Sequence, residues 1–311
     1  MSRPKPTVYL DFADFHPWFV KTDNFFYHLL SERFDVRISD HPEFLIYSHG
    51  GHHHKLHACV KVYYTVESFA PDFDECDYAF TCRELEDPRH LRFPHYILYG
   101  TPESIMKDGL DLPKVLAAKT RFCSFIVSNP NLRKTRKRVD FFHRLSRYKQ
   151  VDSGGKVLNN IGHTVDGLWA GKVEFLRAYK FTIAFENKSL PGYTTEKLFH
   201  AMQATCLPIY WGNPHVDREF NTRSFLNYSD FPSEEALIEK IIELDRDDAK
   251  YLECLREPYF HNNQPNEFFS RERILDQFER IFSTRVAPVA QRRKWFSLGS
   301  WALVRKDKPS R

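Results

Sequence analysis

Residues 184–202 read AFENKSLPGYTTEKLFHAM. Two acids (Glu186 and Glu196), two lysines (Lys188 and Lys197), the amide of Asn187 and Tyr193 crowd one short polar turn. The turn hands an apolar, strand-like run over to an amphipathic, helix-like one. Backbone N–H groups at such a helix start favour an anion, and Lys197 adds a full charge. A lysine in the first turn opposes the helix dipole, so its placement costs stability unless an anion lies nearby. Glu196 complements the dipole and can also hydrogen-bond the hydroxyls of a sugar or ribose. Glu186 comes before the turn and reads as well as a buried structural acid.

Two other stretches carry residues suited to chemistry. NLRKTRKRVDFFHRLSRYK packs seven Lys/Arg between Arg133 and Arg147. A guanidinium offers a planar donor fork to phosphate oxygens, and a lysine offers a point charge. Arg138 is the first candidate for that role, with Arg133 and Arg136 as alternatives; otherwise the helix is a solvated basic face. In VKVYYTVE (60–67), Glu67 ends a strand-like run and is a candidate general base; the plainer reading is a solvated or capping acid. HGGHHHKLH (49–57) invites a metal. Adjacent histidines in regular structure cannot all face one ion, and a flexible, glycine-hinged loop is the better expectation. The six cysteines form no CxxC pair and read as reduced core residues. No metal cofactor is expected, with stimulation by Mn2+ or Mg2+ left open.

These residues need elements to hold them. A chain of 311 residues, 42% hydrophobic, has material for two cores. Strand-like runs at 7–12, 43–48 and 60–67 are interleaved with a helix at 24–34; a second βα series starts near 121. The helix at 233–245 has Ser233 as N-cap, and a last helix spans 271–282. The pattern predicts an α/β fold with parallel sheets. The expected domains are 1–120, 121–284 and a basic, aromatic tail, 285–311. Ligands of such sheets bind outside the carboxyl ends of the strands. Neither GxGxxG nor GxxxxGK[ST] occurs, which speaks against a dehydrogenase or a P-loop NTPase. A net charge of +4 from 45 basic and 41 acidic residues does not point to nucleic acid. No run reaches the roughly 18–20 apolar residues of a membrane span, so the expected location is cytoplasmic. The tail segment RRKWFSLGSWALVRK adds an expected peripheral contact with an anionic membrane surface, at its inner face.

At FENKSLPGYTTEKLFHAMQATCLPIYWGNPHVDREFNTRSFLN the chain resembles the α1,3/4-fucosyltransferases. Their pattern is an FEN, a GY-x-TEK helix start, a PIYWG strand and an FN-x-x-SF segment. SFIVSNPN resembles the segment before it, and VYYTVESFAPDFDECDYAF the acceptor-side motif of the bacterial members. The resemblance implies a GT-B-like architecture: two Rossmann-like domains facing a central cleft, the first for the acceptor and the second for GDP-fucose. It implies inverting transfer of L-fucose from GDP-fucose to the GlcNAc of Galβ1-4GlcNAc-type glycan ends, giving α1,3-linked, Lewis-type products. An α1,4 preference, another acceptor, or a catalytically silent glycan- or nucleotide-sugar-binding protein are the alternatives. By the same resemblance Glu67 is the base, and Glu196 meets hydroxyls or the cationic transition state. Arg138 and Lys197 hold the diphosphate, while Asn187 and Tyr193 line the donor pocket. Where bacterial members carry TGEN, this chain has Thr65-Val66-Glu67-Ser68 and keeps the acid. Within these 311 residues no heptad repeat of the kind found near their C-terminus is seen.

Overall fold

The computed structural model describes residues 4–165 and 169–291, without the side chains of 132–134 and 169. The chain divides into two compact units, 4–93 with 270–291, and 94–269 within the described residues.

The first unit is built on six parallel strands, β1 (Thr7–Ala13), β2 (Asp35–Ile38), β3 (Phe44–Tyr47), β4 (Val60–Thr65), β5 (Tyr78–Thr81) and β6 (His90–Arg92). Their spatial order is β2-β1-β3-β4-β5-β6. Helix α1 (Phe25–Leu30) returns the chain from β1 to β2 and is capped by the Asn24 side chain, which accepts from the Tyr27 N–H. After β2 the chain crosses back over β1, so the order reverses between β1 and β3. Crevices at such reversals are where doubly wound sheets bind ligands. β3 and β4 are buried along their whole length, as expected for strands covered on both faces.

The second unit holds five parallel strands in the order β11-β10-β9-β7-β8. Helix α2 (Leu112–Ala118) precedes β7 (Arg121–Phe125), followed by α3 (Leu132–Leu145), β8 (Val151–Ser153) and α4 (Trp169–Arg177). Next come β9 (Tyr179–Phe185), α5 (Glu196–Gln203), β10 (Leu207–Trp211) and β11 (Leu226–Asn227), then α6 (Glu234–Arg246) and α7 (Asp248–Arg256). Its reversal lies between β7 and β9. Ser233 caps α6 by accepting from the Ala236 N–H, as the sequence predicts. The core joins Phe125, Phe141, Phe181, Phe185, Ile209 and Leu237, all buried.

The units do not break at 120 and 284. Residues 94–118 form no strand and stay with the second unit. Gln203 of α5 donates to the Tyr99 carbonyl and the Ser104 hydroxyl at 3.2 and 3.1 Å. The Lys107 ammonium donates to the Leu255 and Glu257 carbonyls at 2.8 and 2.6 Å. The last helix, α8 (Arg271–Phe282), belongs to the first unit. Its Phe278 stacks on Phe80 of β5 at 4.8 Å, and its Asp276 and Glu279 pair with Arg33 at 2.7 and 3.1 Å. Of the basic, aromatic tail, residues 292–311 lie outside the described part of the chain. No described helix is long and apolar enough to cross a membrane.

Candidate active site

The polar turn of 186–195 leaves the carboxyl end of β9 beside the strand reversal and enters α5. Thr195 caps that helix, its hydroxyl accepting from the Lys197 N–H. Glu186, fully buried, organises the turn. Its carboxylate accepts the Thr195 N–H and the Thr195 hydroxyl, both at 2.7 Å, and the Lys197 ammonium at 3.1 Å. Gly212, at the end of PIYWG, is required by the same carboxylate: a Cβ there would stand 2.4 Å from Glu186 Cγ. Lys197 therefore has the anion that the helix dipole demands, and it is Glu186. The ammonium has two hydrogen-bonded acceptors, Glu186 and Thr195 Oγ1 at 2.9 Å, with Glu196 at 3.6 Å. One of its three N–H bonds remains for a ligand oxygen.

The charges are strongly coupled. Burial raises the Glu186 carboxyl above the ordinary range, opposed by Lys197. Burial acts the same way on Glu196, but Lys197 and His95, whose Nδ1 lies 3.3 Å away, outweigh it and hold that carboxyl well below the ordinary range. Burial alone would depress the Lys197 ammonium; the two carboxylates more than reverse it. On α3, Arg138 is buried, and burial lowers its basicity against the pull of Glu186 and Tyr193. Arg136 points away, with a side chain 85% exposed and paired to Asp140 at 3.7 Å. The Lys137 ammonium lies 3.8 Å over the Tyr228 ring. Of the described candidate arginines, Arg138 is thus the one that joins the constellation. Glu186, Glu196, Lys197 and Arg138 thus form one charge-balanced cluster at the end of β9 and the start of α5.

Asn187 and Tyr193 shape the turn: Tyr193 is 2% exposed and its hydroxyl accepts from the Asn187 amide at 3.5 Å. A buried network missed at the sequence level holds the other side. Asn213 accepts the Gly192 N–H at 2.9 Å and donates to Glu219 at 2.6 Å and Thr194 at 3.1 Å. Gly192 has φ 83°, a left-handed conformation that glycine adopts without strain. Behind Lys197 a small recess of about 60 Å³ is lined by Ile126, Val127, Lys172, Glu196, Lys197 and His200.

His200 is buried and driven from 6.5 to about 4 by burial, with Glu196 opposing. A histidine that stays neutral in the fold and protonates in the unfolded chain destabilises the fold as pH drops from 6.5 towards 4. About 3 kcal/mol of stability should disappear over that window. His90 is driven to about 4 by burial as well, so denaturant unfolding at pH 7 and pH 4.5 reads the loss from both histidines, and His200→Gln should remove about half of it. An equal loss in both proteins would reject His200 as a source.

In the first unit, Glu67 lies two residues beyond the end of β4, not in the strand itself. Its N–H donates to Thr65 Oγ1 at 3.1 Å, and that hydroxyl lies 3.0 Å from His49 Nδ1. The histidine-rich loop is pinned and not hinged. Asp14 Oδ1 accepts the His53 N–H at 2.9 Å, while Oδ2 meets the His54 N–H at 3.0 Å and His54 Nδ1 at 2.6 Å. Gly50 and Gly51 serve close approach: a Cβ on either would stand 2.6 Å from an Asp14 oxygen. Among the described residues no group of three or more His, Cys, Asp or Glu side chains is placed to hold a metal.

Comparison with known proteins places this geometry in context. The family described as glycosyltransferase family 10 (fucosyltransferase), C-terminal, matches residues 116–272, and the alpha-(1,3)-fucosyltransferase FucT N-terminal domain matches 10–99. An alpha-(1,3)-fucosyltransferase of Helicobacter pylori is 31% identical over 83% of this chain, which spans 61% of that relative's length. A 3-galactosyl-N-acetylglucosaminide 4-alpha-L-fucosyltransferase of Bos taurus is 33% identical over 52% of this chain and 43% of its own. A crystal structure of an α1,3-fucosyltransferase with GDP-fucose matches 93% of this chain and 94% of its own, at 28% identity and a TM-score of 0.73. One with GDP matches at 27% identity and a TM-score of 0.75.

Proposed function

Because this chain belongs to glycosyltransferase family 10, the fucosyltransferases, we propose that it transfers L-fucose from GDP-fucose, with inversion, to O3 of GlcNAc in Galβ1-4GlcNAc-type glycan ends. The observation that carries the reading is the balanced constellation of Glu186, Glu196, Lys197 and Arg138 at the strand reversal of the second unit. In the reaction the acceptor oxygen attacks the anomeric carbon of fucose as the bond to the β-phosphate breaks. The acceptor proton passes to the Glu67 carboxylate, and the bonding pair leaves with GDP. Lys197 and Arg138 meet the diphosphate oxygens, where charge grows as the bond breaks. Glu196, kept ionised, faces the positive charge that develops on the sugar ring.

The α1,3 linkage is the form of the reaction we favour. The relative named for α1,3 transfer aligns over 83% of this chain, and the matching N-terminal family is also named for it. Relatives that align over about half of the chain are named for both 4-alpha and 3-alpha transfer. The test is transfer from GDP-fucose to Galβ1-4GlcNAc and Galβ1-3GlcNAc, with product linkage read by NMR. An α1,3-linked product on the first acceptor is expected. A product on the second alone would replace the linkage, and failure with every glycan acceptor despite GDP-fucose binding would favour a silent binding protein.

A further inference from the structure

The loops after β1 and β3 leave the first sheet on either side of its reversal, and the turn after β4 stands beside them. The transfer chemistry uses Glu67 from this region and leaves its aromatic residues unexplained. Trp18 is 77% exposed and Phe69, two residues beyond Glu67, is 50% exposed. Large apolar side chains usually lose contact with water, so an exposed indole beside a ligand crevice asks for a role.

The turn that carries Trp18 is braced. The indole stacks on His16 at 4.7 Å between ring centres. Below it Phe15 and Phe19 stack at 4.0 Å, and Phe15 lies 6.0 Å from Tyr64 of β4. Asp14 turns the chain with φ 61°, held by the His53 and His54 contacts and by the Gly50 N–H on its carbonyl at 2.9 Å. Phe69 is steadied by His49 at 5.1 Å between ring centres. Aromatic groups fixed in this way present contact area at little entropic cost on binding.

We propose that Trp18 is the stacking platform for the terminal hexose of the acceptor and selects galactose, with Phe69 flanking it. The proposal rests on the fucosyl-transfer reading and names the side chain that recognises the galactose of its acceptor. The chemistry favours galactose because its axial O4 gathers the C3, C4 and C5 hydrogens on one face. That apolar face can lie flat on an indole. Glucose, with O4 equatorial, divides its axial hydrogens between its two faces and lacks the contiguous C3–C4–C5 patch, so it should stack less well.

The experiment compares the full chain with Trp18→Ala and Trp18→Phe, on Galβ1-4GlcNAc, Glcβ1-4GlcNAc and GlcNAc. Wild type should prefer the galactoside. In Trp18→Ala its KM should rise about tenfold, the scale of one lost aromatic stack, with kcat, GDP affinity and the KM for GlcNAc unchanged. Trp18→Phe should keep most of the preference. An unchanged galactoside KM in Trp18→Ala, or an equal rise for GlcNAc, overturns the platform. Saturation-transfer NMR of Galβ1-4GlcNAc with wild type and Trp18→Ala keeps the two readings apart. If wild type transfers no fucose, the transfer reading fails; if both proteins then bind the galactoside alike, the platform fails as well.

Discussion

Glu67→Gln is expected to lower fucosyl transfer by about 10²–10⁴-fold, the usual worth of a positioned general base, with GDP and GDP-fucose affinity unchanged. The amide keeps the size of the side chain and cannot accept the acceptor's proton. The position tolerates the change because the turn is fixed by backbone: the Glu67 N–H is held by Thr65 Oγ1, and its carbonyl faces Cys82 Sγ at 3.7 Å. Neither contact involves the carboxylate, so the variant should unfold at the same denaturant concentration as wild type. Steady-state kinetics with saturating GDP-fucose, beside calorimetry with GDP, separate chemistry from binding. Turnover within a few-fold of wild type would remove Glu67 from the role of base and direct the search to other acids of the same unit.

The sequence shows much of this site because charge stands where charge is costly. Lysine in the first turn of α5, next to an acid, conflicts with helix rules, and such conflicts mark function. Which acid answers it is less visible. Glu186 sits at the end of an apolar run, and only the fold reveals that its carboxylate binds Thr195 and Lys197 and is faced by Gly212. The choice among arginines is legible in hindsight. Arg138 stands three and four residues before Phe141 and Phe142, the buried face of α3, whereas Arg136 stands four before Asp140 on the outer face. The short strand β8 and helix α7 left little periodic signal. Residues 94–118 look like an end to the first half, and only their contacts with α5 and α7 assign them to the second. The glycines at 50 and 51 suggest a hinge on composition; the Asp14 carbonyl and carboxylate that need the space lie some forty residues away in sequence, beyond the reach of any local pattern.

Lys197→Ala should do two separable things. It should weaken GDP binding by about 10–150-fold, because a hydrogen bond to a charged group contributes about 1.5–3 kcal/mol. It should also destabilise the fold by about 3–5 kcal/mol, since removing one partner of a buried pair strands the other charge. The stranded group is Glu186, fully buried and 3.1 Å from the missing ammonium, with Glu196 beside it. A loss of binding in that variant is therefore ambiguous by itself. The double variant Glu186→Gln/Lys197→Met resolves it. The glutamine keeps an oxygen for the Thr195 N–H without the charge, and methionine fills the lysine stem. Replacing both members of a buried pair by neutral groups of similar volume is often neutral for stability. The double variant should therefore unfold near the wild-type midpoint while GDP binding stays weak. Wild-type GDP affinity in the refolded double variant would show that Lys197 serves the turn alone, and the diphosphate would then depend on Arg138.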